Sequence, residues 1–183
     1  METAQKIVLQ KFPAVESVAA DETVKGVRSI FSQVGIDPTK ERPSGEALIR
    51  RVVSGKGIYR VNPAVDLNNV VSLLCGCPCG VYDVQKVVGE KIFFRIGKAG
   101  ESYEGLSKLH NAENKIVSVD ASGIFGAPTA DSKRTSVSEE TTSLLMVIYC
   151  PKGARDTLDA AVAKSSELFE KCLGARQGWS GFL

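Results

Sequence analysis

Histidine, tryptophan and methionine are scarce: the 183 residues hold one histidine, one tryptophan and two methionines. With His110 as the single imidazole, a histidine-rich metal site is excluded. Three of the five cysteines, Cys75, Cys77 and Cys79, are spaced by two, and Cys150 and Cys172 stand apart. Structural zinc sites use Cys-x-x-Cys pairs with a second pair elsewhere, and no second pair exists, so no metal is expected. A catalytic Cys–His pair needs a thiol beside His110. That histidine lies in the polar run Lys108-Leu109-His110-Asn111 and reads as a surface residue. There is no Walker loop and no Gly-x-Gly-x-x-Gly after a strand, so no cofactor is implied. Long apolar runs are missing too. Ile7-Val8-Leu9 is too short for a signal or a membrane span. An odd cysteine count without a signal sequence fits reduced thiols and a cytoplasmic location. Nor is there an excess of one charge: 23 Lys and Arg face 21 Asp and Glu, a net charge of +2. Such a balance does not announce a nucleic-acid binder, but it leaves room for a local basic patch.

What is present reads as one mixed α/β domain over residues 1–183, long enough to bury a substantial core. Residues 6–12 form a short apolar run before Pro13 and read as a strand. Asp21 caps a helix with Val24, Val27, Phe31 and Val34 at helical spacing, stopped by Gly35. A second helix follows Pro43 or Ser44. A third opens with Asn62 as N-cap and Pro63 at its first position and closes near Gly76. Residues 76–80 read as a tight loop. Strands are expected at 91–96, 116–120, 123–126 and 144–149, with a turn or hairpin over 97–109. Residues 127–142 read as a long loop, of the kind that is usually functional or mobile. An amphipathic helix spans 156–173. The apolar tail around Trp179 and Phe182 is expected to dock on the body or on a second copy, giving a homodimer. Helices first, then strands, then a closing helix argue against a regular βαβ array.

Three features carry chemistry. Asp66, Asn68 and Asn69 sit inside a largely apolar helix, although such side chains compete for backbone hydrogen bonds. They either tie neighbouring segments together or line a polar pocket. Arg42, Arg50, Arg51, Lys56 and Arg60 fall in one stretch that contains only Glu46 as an acid, and Lys98, Lys108, Lys133 and Arg134 add charge later. A solvated face or a phosphate-contacting surface would each fit. The run Ser138-Glu139-Glu140-Thr141-Thr142 reads either as an exposed loop or as carboxylates and a hydroxyl at the mouth of a pocket.

Taken together, Arg42-Pro43-Ser44-Gly45-Glu46-Ala47-Leu48-Ile49-Arg50-Arg51, Asn62-Pro63-Ala64-Val65-Asp66-Leu67-Asn68-Asn69 and Gly80-Val81-Tyr82-Asp83 resemble the B3/B4 tRNA-binding, editing domain of the phenylalanyl-tRNA synthetase beta subunit. The likeness is greatest to free-standing homologues of that domain. It continues through Gly100-Glu101-Ser102-Tyr103-Glu104, Gly123-Ile124-Phe125-Gly126, Arg134-Thr135 and Glu140-Thr141, over about residues 36–149. The resemblance implies a three-layer fold with helices around a central mixed sheet. It also implies a partner, the 3′ end of mischarged tRNA, and hydrolysis of the ester to a wrong tyrosine, without ligation. A non-catalytic tRNA or amino-acid binding module is the alternative. Asn68 stands where the synthetase commonly has threonine, and Gly80 where it commonly has histidine. By the same resemblance, Glu139 or Glu140 is the acidic catalytic position. Asn68, Gly80, Gly123, Gly126 and Thr141 are expected to contact substrate, and the clustered Arg42, Arg50, Arg51 and Lys56, with Arg134, to contact tRNA.

Overall fold

The computed structural model describes residues 1–181. The first half of the chain is helical. Helix α1 covers Glu2–Lys11, where the apolar run around residue 8 reads as a strand. Ala4, Val8 and Phe12 recur every four residues and are all buried, so a helical stripe, not a two-residue alternation, meets the core. Helix α2, Glu22–Gln33, starts where Val24 N–H donates to the Asp21 carboxylate at 3.1 Å. Helix α3 spans Ser44–Val53. Helix α4, Pro63–Cys75, begins with Val65 N–H donating to Asn62 Oδ1 at 2.9 Å and ends at Gly76, left-handed at φ 76°. Asp66 accepts from Val61 N–H at 2.9 Å, so this acid pins the loop entering α4. Helix α5, Arg155–Leu173, packs on α4, which also meets α1 and α3. Val8, Ile49, Val52, Val70 and Leu73 form the core between these helices.

Seven strands are found among the described residues: β1 Cys79–Asp83, β2 Phe93–Ile96, β3 Ser102–Glu104, β4 Leu109–Asn111, β5 Ile116–Asp120, β6 Gly123–Gly126 and β7 Leu144–Ile148. The α/β class is as expected. The strand pairing is finer-grained than one central mixed sheet: β1 pairs with β7, β2-β5-β6 form a second sheet and β3-β4 a hairpin, all antiparallel. The turn expected over 76–80 is shorter. Ser72 Oγ donates to Cys77 carbonyl oxygen at 2.6 Å and holds the reversal, after which Cys79 is already opposite Ile148. Segment 127–142 is less free than its composition implies. It contains a 3₁₀ turn at Lys133–Thr135, and Ser132 N–H and Thr135 Oγ both donate to Phe125 carbonyl oxygen at 3.1 Å. Tyr82, Phe125 and Val147 join the β1-β7 pair to the second sheet, the two rings meeting edge-on at 4.9 Å. Among the described residues no helix is long and apolar enough to cross a membrane. Trp179 is exposed, and Phe182 and Leu183 of the apolar tail lie outside the described residues.

Candidate functional site

Alternation along β1 puts the side chain of Tyr82 on the same face as Gly80. Tyr82 is fully buried, and its hydroxyl donates to Asp131 Oδ1 at 2.6 Å. A Cβ on Gly80 or on Gly126 would overlap that hydroxyl, so the two glycines are the walls that let the phenol in. Asp131 is carried by the segment leaving β6, which bridges back to Gly126. The Tyr82 hydroxyl also interacts with that of Tyr149, which shares a 2.6 Å hydrogen bond with Ser118 Oγ. Ser118, Tyr149, Tyr82 and Asp131 thus form one polar chain between the two sheets. Burial pushes the Tyr82 phenol well above its usual range, with help from Tyr149 and Asp131. Burial also pushes the Asp131 carboxyl up from 3.8 to about 7, against the lowering effect of the Tyr82 hydrogen bond. The residue as a whole is half-buried, its carboxyl almost wholly so. A carboxyl near neutrality can accept a proton from a water that reaches it.

Asn68 adjoins this network through β1. It is buried, donates from Nδ2 to the Cys79 carbonyl oxygen at 3.2 Å, and leaves its Oδ1 buried with no partner among the described residues. Asn68, Gly80 and Gly126 are therefore drawn to one region. Gly123 lies at the other end of β6 with φ 119°, and a Cβ there would meet open space.

The acidic pair does not join them. Glu139 and Glu140 are exposed, and neither has a hydrogen bond or ion pair among the described residues. Their neighbour Thr141 accepts from Ser138 N–H at 3.0 Å and donates to Asp83 Oδ2 at 2.8 Å. This fixes the loop at the Asp83 end of β1, the end opposite the Asn68 contact. Burial would raise the Asp83 carboxyl, but Thr141, Gln85 N–H and Lys86 outweigh it and hold it low.

Most of the expected basic surface is already engaged. Glu46 is 1 % exposed, and its Oε1 faces three guanidinium groups: Arg50 at 2.7 Å, Arg28 at 2.9 Å and Arg42 at 3.6 Å. Arg51 lies over the Tyr59 ring at 5.2 Å. Arg134 clamps the β5-β6 turn, bonding Asp120 at 2.9 and 3.1 Å and the Lys86 carbonyl oxygen at 3.0 Å. Lys56 alone of the five is exposed and without an ion pair among the described residues. Cys77 N–H donates to Cys75 Sγ at 3.4 Å, and no group of three or more His, Cys, Asp or Glu among the described residues could hold a metal.

Tyr82 stands in the motif Gly80-Val81-Tyr82-Asp83, but neither strand β1 nor a role for this phenol was expected from the sequence. Asp131, Ser118 and Tyr149 were not legible either, because only tertiary pairing brings them together.

The family model for the B3/4 domain matches residues 26–173, a wider span than that of the motifs. The chain is 32 % identical over 158 residues to the phenylalanine–tRNA ligase beta subunit of Corynebacterium glutamicum, covering 82 % of this chain and 18 % of that protein. To the Corynebacterium jeikeium subunit of the same name it is 33 % identical over 139 residues, covering 72 % and 15 %. For Nocardia farcinica the figures are 31 % over 115 residues, 61 % and 13 %. The chain spans less than a fifth of the length of these relatives. By the family match over most of its length, this chain belongs to the B3/4 domain family.

Proposed function

We propose that the chain binds the 3′ end of a mischarged aminoacyl-tRNA and hydrolyses its ester, tyrosine on phenylalanine tRNA being the substrate. The observation that carries this reading is the Asp131 carboxyl, bonded into a chain of hydroxyls behind Gly80 and Gly126 and raised by burial to about 7. Similarity to proteins named as phenylalanine–tRNA ligase subunits supports the substrate class. In this scheme Asp131, rather than Glu139 or Glu140, takes a proton from a water. The water oxygen bonds to the ester carbonyl carbon, the carbon–oxygen bond to the ribose breaks, and the proton leaves with the ribose oxygen. The products are free tyrosine and uncharged tRNA. Orientation of water and ester by the protein contributes most of the rate. A site that hydrogen-bonds the phenol of tyrosine can reject phenylalanine by up to roughly 10⁴–10⁵, because its polar groups go unpaired. Of the expected RNA contacts, Arg42 and Lys56 keep donors for phosphate.

Binding without turnover is the second reading. It is favoured by Gly80, which supplies no side chain, and by the Tyr82 hydroxyl, which fills the space beside it. Incubation of the protein with tyrosyl-tRNA of the phenylalanine type decides between them. Release of tyrosine above buffer, lost in Asp131→Asn, is the expected result. No release, together with a tRNA-dependent rise in melting temperature, identifies a binder.

A further inference from the structure

A cleft of about 310 Å³ opens between the β3-β4 hairpin and the chain entering α3. Its walls include Arg42, Tyr103, Lys108, His110, Lys115 and Thr129, with Glu41 as the one acid. The cationic excess is not cancelled locally. Lys115 is paired with Glu41 at 2.9 Å. Arg42 reaches only the Glu46 oxygen that Arg28 and Arg50 already approach more closely. Lys108 is exposed, with no ion pair among the described residues. Against this charge lies an aromatic pair: the Tyr103 and His110 rings stack with centroids 5.4 Å apart and 17° between planes. The pair is held from both sides. Tyr103 hydroxyl donates to the Ala130 carbonyl oxygen at 2.8 Å, and the imidazole lies over Gly105, where a Cβ would overlap it.

Three cations facing a single acid are what a phosphodiester requires. The cleft volume is at the low end for a small-ligand site. Its position adds direction. Ala127 and Thr129 wall the cleft, while Gly126 and Asp131, from the same turn, belong to the hydroxyl network.

We propose that this cleft binds a phosphodiester of a single-stranded RNA end, placing the terminal nucleotide at the Tyr82–Asp131 network, with Arg42, Lys108 and Lys115 as the phosphate contacts. This rests on the RNA-binding part of the reading above and not on hydrolysis. His110 reports on it. Burial, then repulsion from Lys108 and Lys115, keeps the imidazole below its ordinary value, against an opposing pull from Glu41. Arg42 is a further cation and Tyr103 a neutral face in the same cleft. A phosphate entering there offsets the repulsion and raises the His110 value, so RNA binds more tightly as pH falls below neutrality.

Because His110 is the only histidine, its imidazole resonances in a proton NMR pH titration are unambiguous. The titration is run on the full chain alone, with an RNA trinucleotide ending in adenosine, and with inorganic phosphate. The expected result is a raised His110 value with the trinucleotide. Lys108→Ala is expected to raise the value in the free protein, to shrink the RNA-induced rise, and to reduce the slope of log Kd against log salt by about one. RNA binding that leaves His110 unmoved overturns the proposal while leaving the hydrolase reading to its own assay. Inorganic phosphate moving His110 where the trinucleotide does not overturns it as well. So does an unchanged salt slope in Lys108→Ala.

Discussion

Replacing Asp131 by Asn tests the polar network without touching its shape. In the folded protein the Asp131 carboxyl sits at about 7, against 3.8 for an ordinary aspartate. A carboxyl raised on folding makes the folded state the tighter proton binder. Its stabilising contribution is therefore complete below pH 3.8 and is lost as pH rises to about 7. At about 1.4 kcal/mol per pH unit the full difference corresponds to about 4 kcal/mol. Only the part above pH 5, about two of those pH units or roughly 3 kcal/mol, falls in the window tested. Asn keeps the acceptor for the Tyr82 hydroxyl but carries no charge at any pH. Urea unfolding at pH 5 and pH 8 isolates the effect as a difference between proteins, since every other titrating group is common to both. The original protein should lose about 2–3 kcal/mol more than Asp131→Asn between the two pH values. An identical pH dependence in the two proteins would refute the assignment of a raised carboxyl at this site.

Other expectations follow from the same geometry. Gly126→Ala forces a methyl into the Tyr82 hydroxyl in a fully buried place, and urea unfolding should register a loss of about 1–3 kcal/mol. Arg134→Ala strips the clamp from Asp120, whose side chain is 0 % exposed. Asp120 retains bonds from Val88 and Ser122 N–H, and Arg134 is partly in solvent, so the cost is about 1–3 kcal/mol. This change should lower stability while leaving RNA affinity in a filter-binding assay unaltered. Exchanging Glu139 and Glu140 together for Gln should change stability by no more than about 0.5 kcal/mol, since both are exposed. Turnover that disappears with that pair and survives Asp131→Asn would return the chemistry to the loop before β7. Asn62→Ala removes the N-cap of α4 and should cost about 1 kcal/mol in thermal or urea unfolding.

The helices were legible wherever caps and period agreed: Asp21 before α2, and Asn62-Pro63 before α4 with Gly76 after it. Helix α1 was misread because Ile7-Val8-Leu9 looks locally like a strand. Only Ala4 and Phe12, four residues to either side of Val8, reveal the buried stripe. Gly80 and Gly126 were legible as unusual positions, but the reason for them was not. Both make room for the same hydroxyl, and the partner is 49 residues from Tyr82 along the chain. Asp131 had no local signature, being one polar residue in a polar stretch, and its properties come from what packs around it. Charge clustering was visible, whereas its use was not. A sequence displays Arg28, Arg42 and Arg50 as three free cations, and the fold spends most of their charge on buried Glu46.

The position of the ester decides between Asp131 and the Glu139–Glu140 loop. A non-hydrolysable analogue, an adenosine carrying tyrosine through a 3′-amide, can be soaked into crystals of the protein and its density located. The tyrosyl group is expected beside Asp131, in contact with the Tyr82–Tyr149 hydroxyls. Density against the Glu139–Glu140 loop, with the hydroxyl network untouched, would contradict that placement.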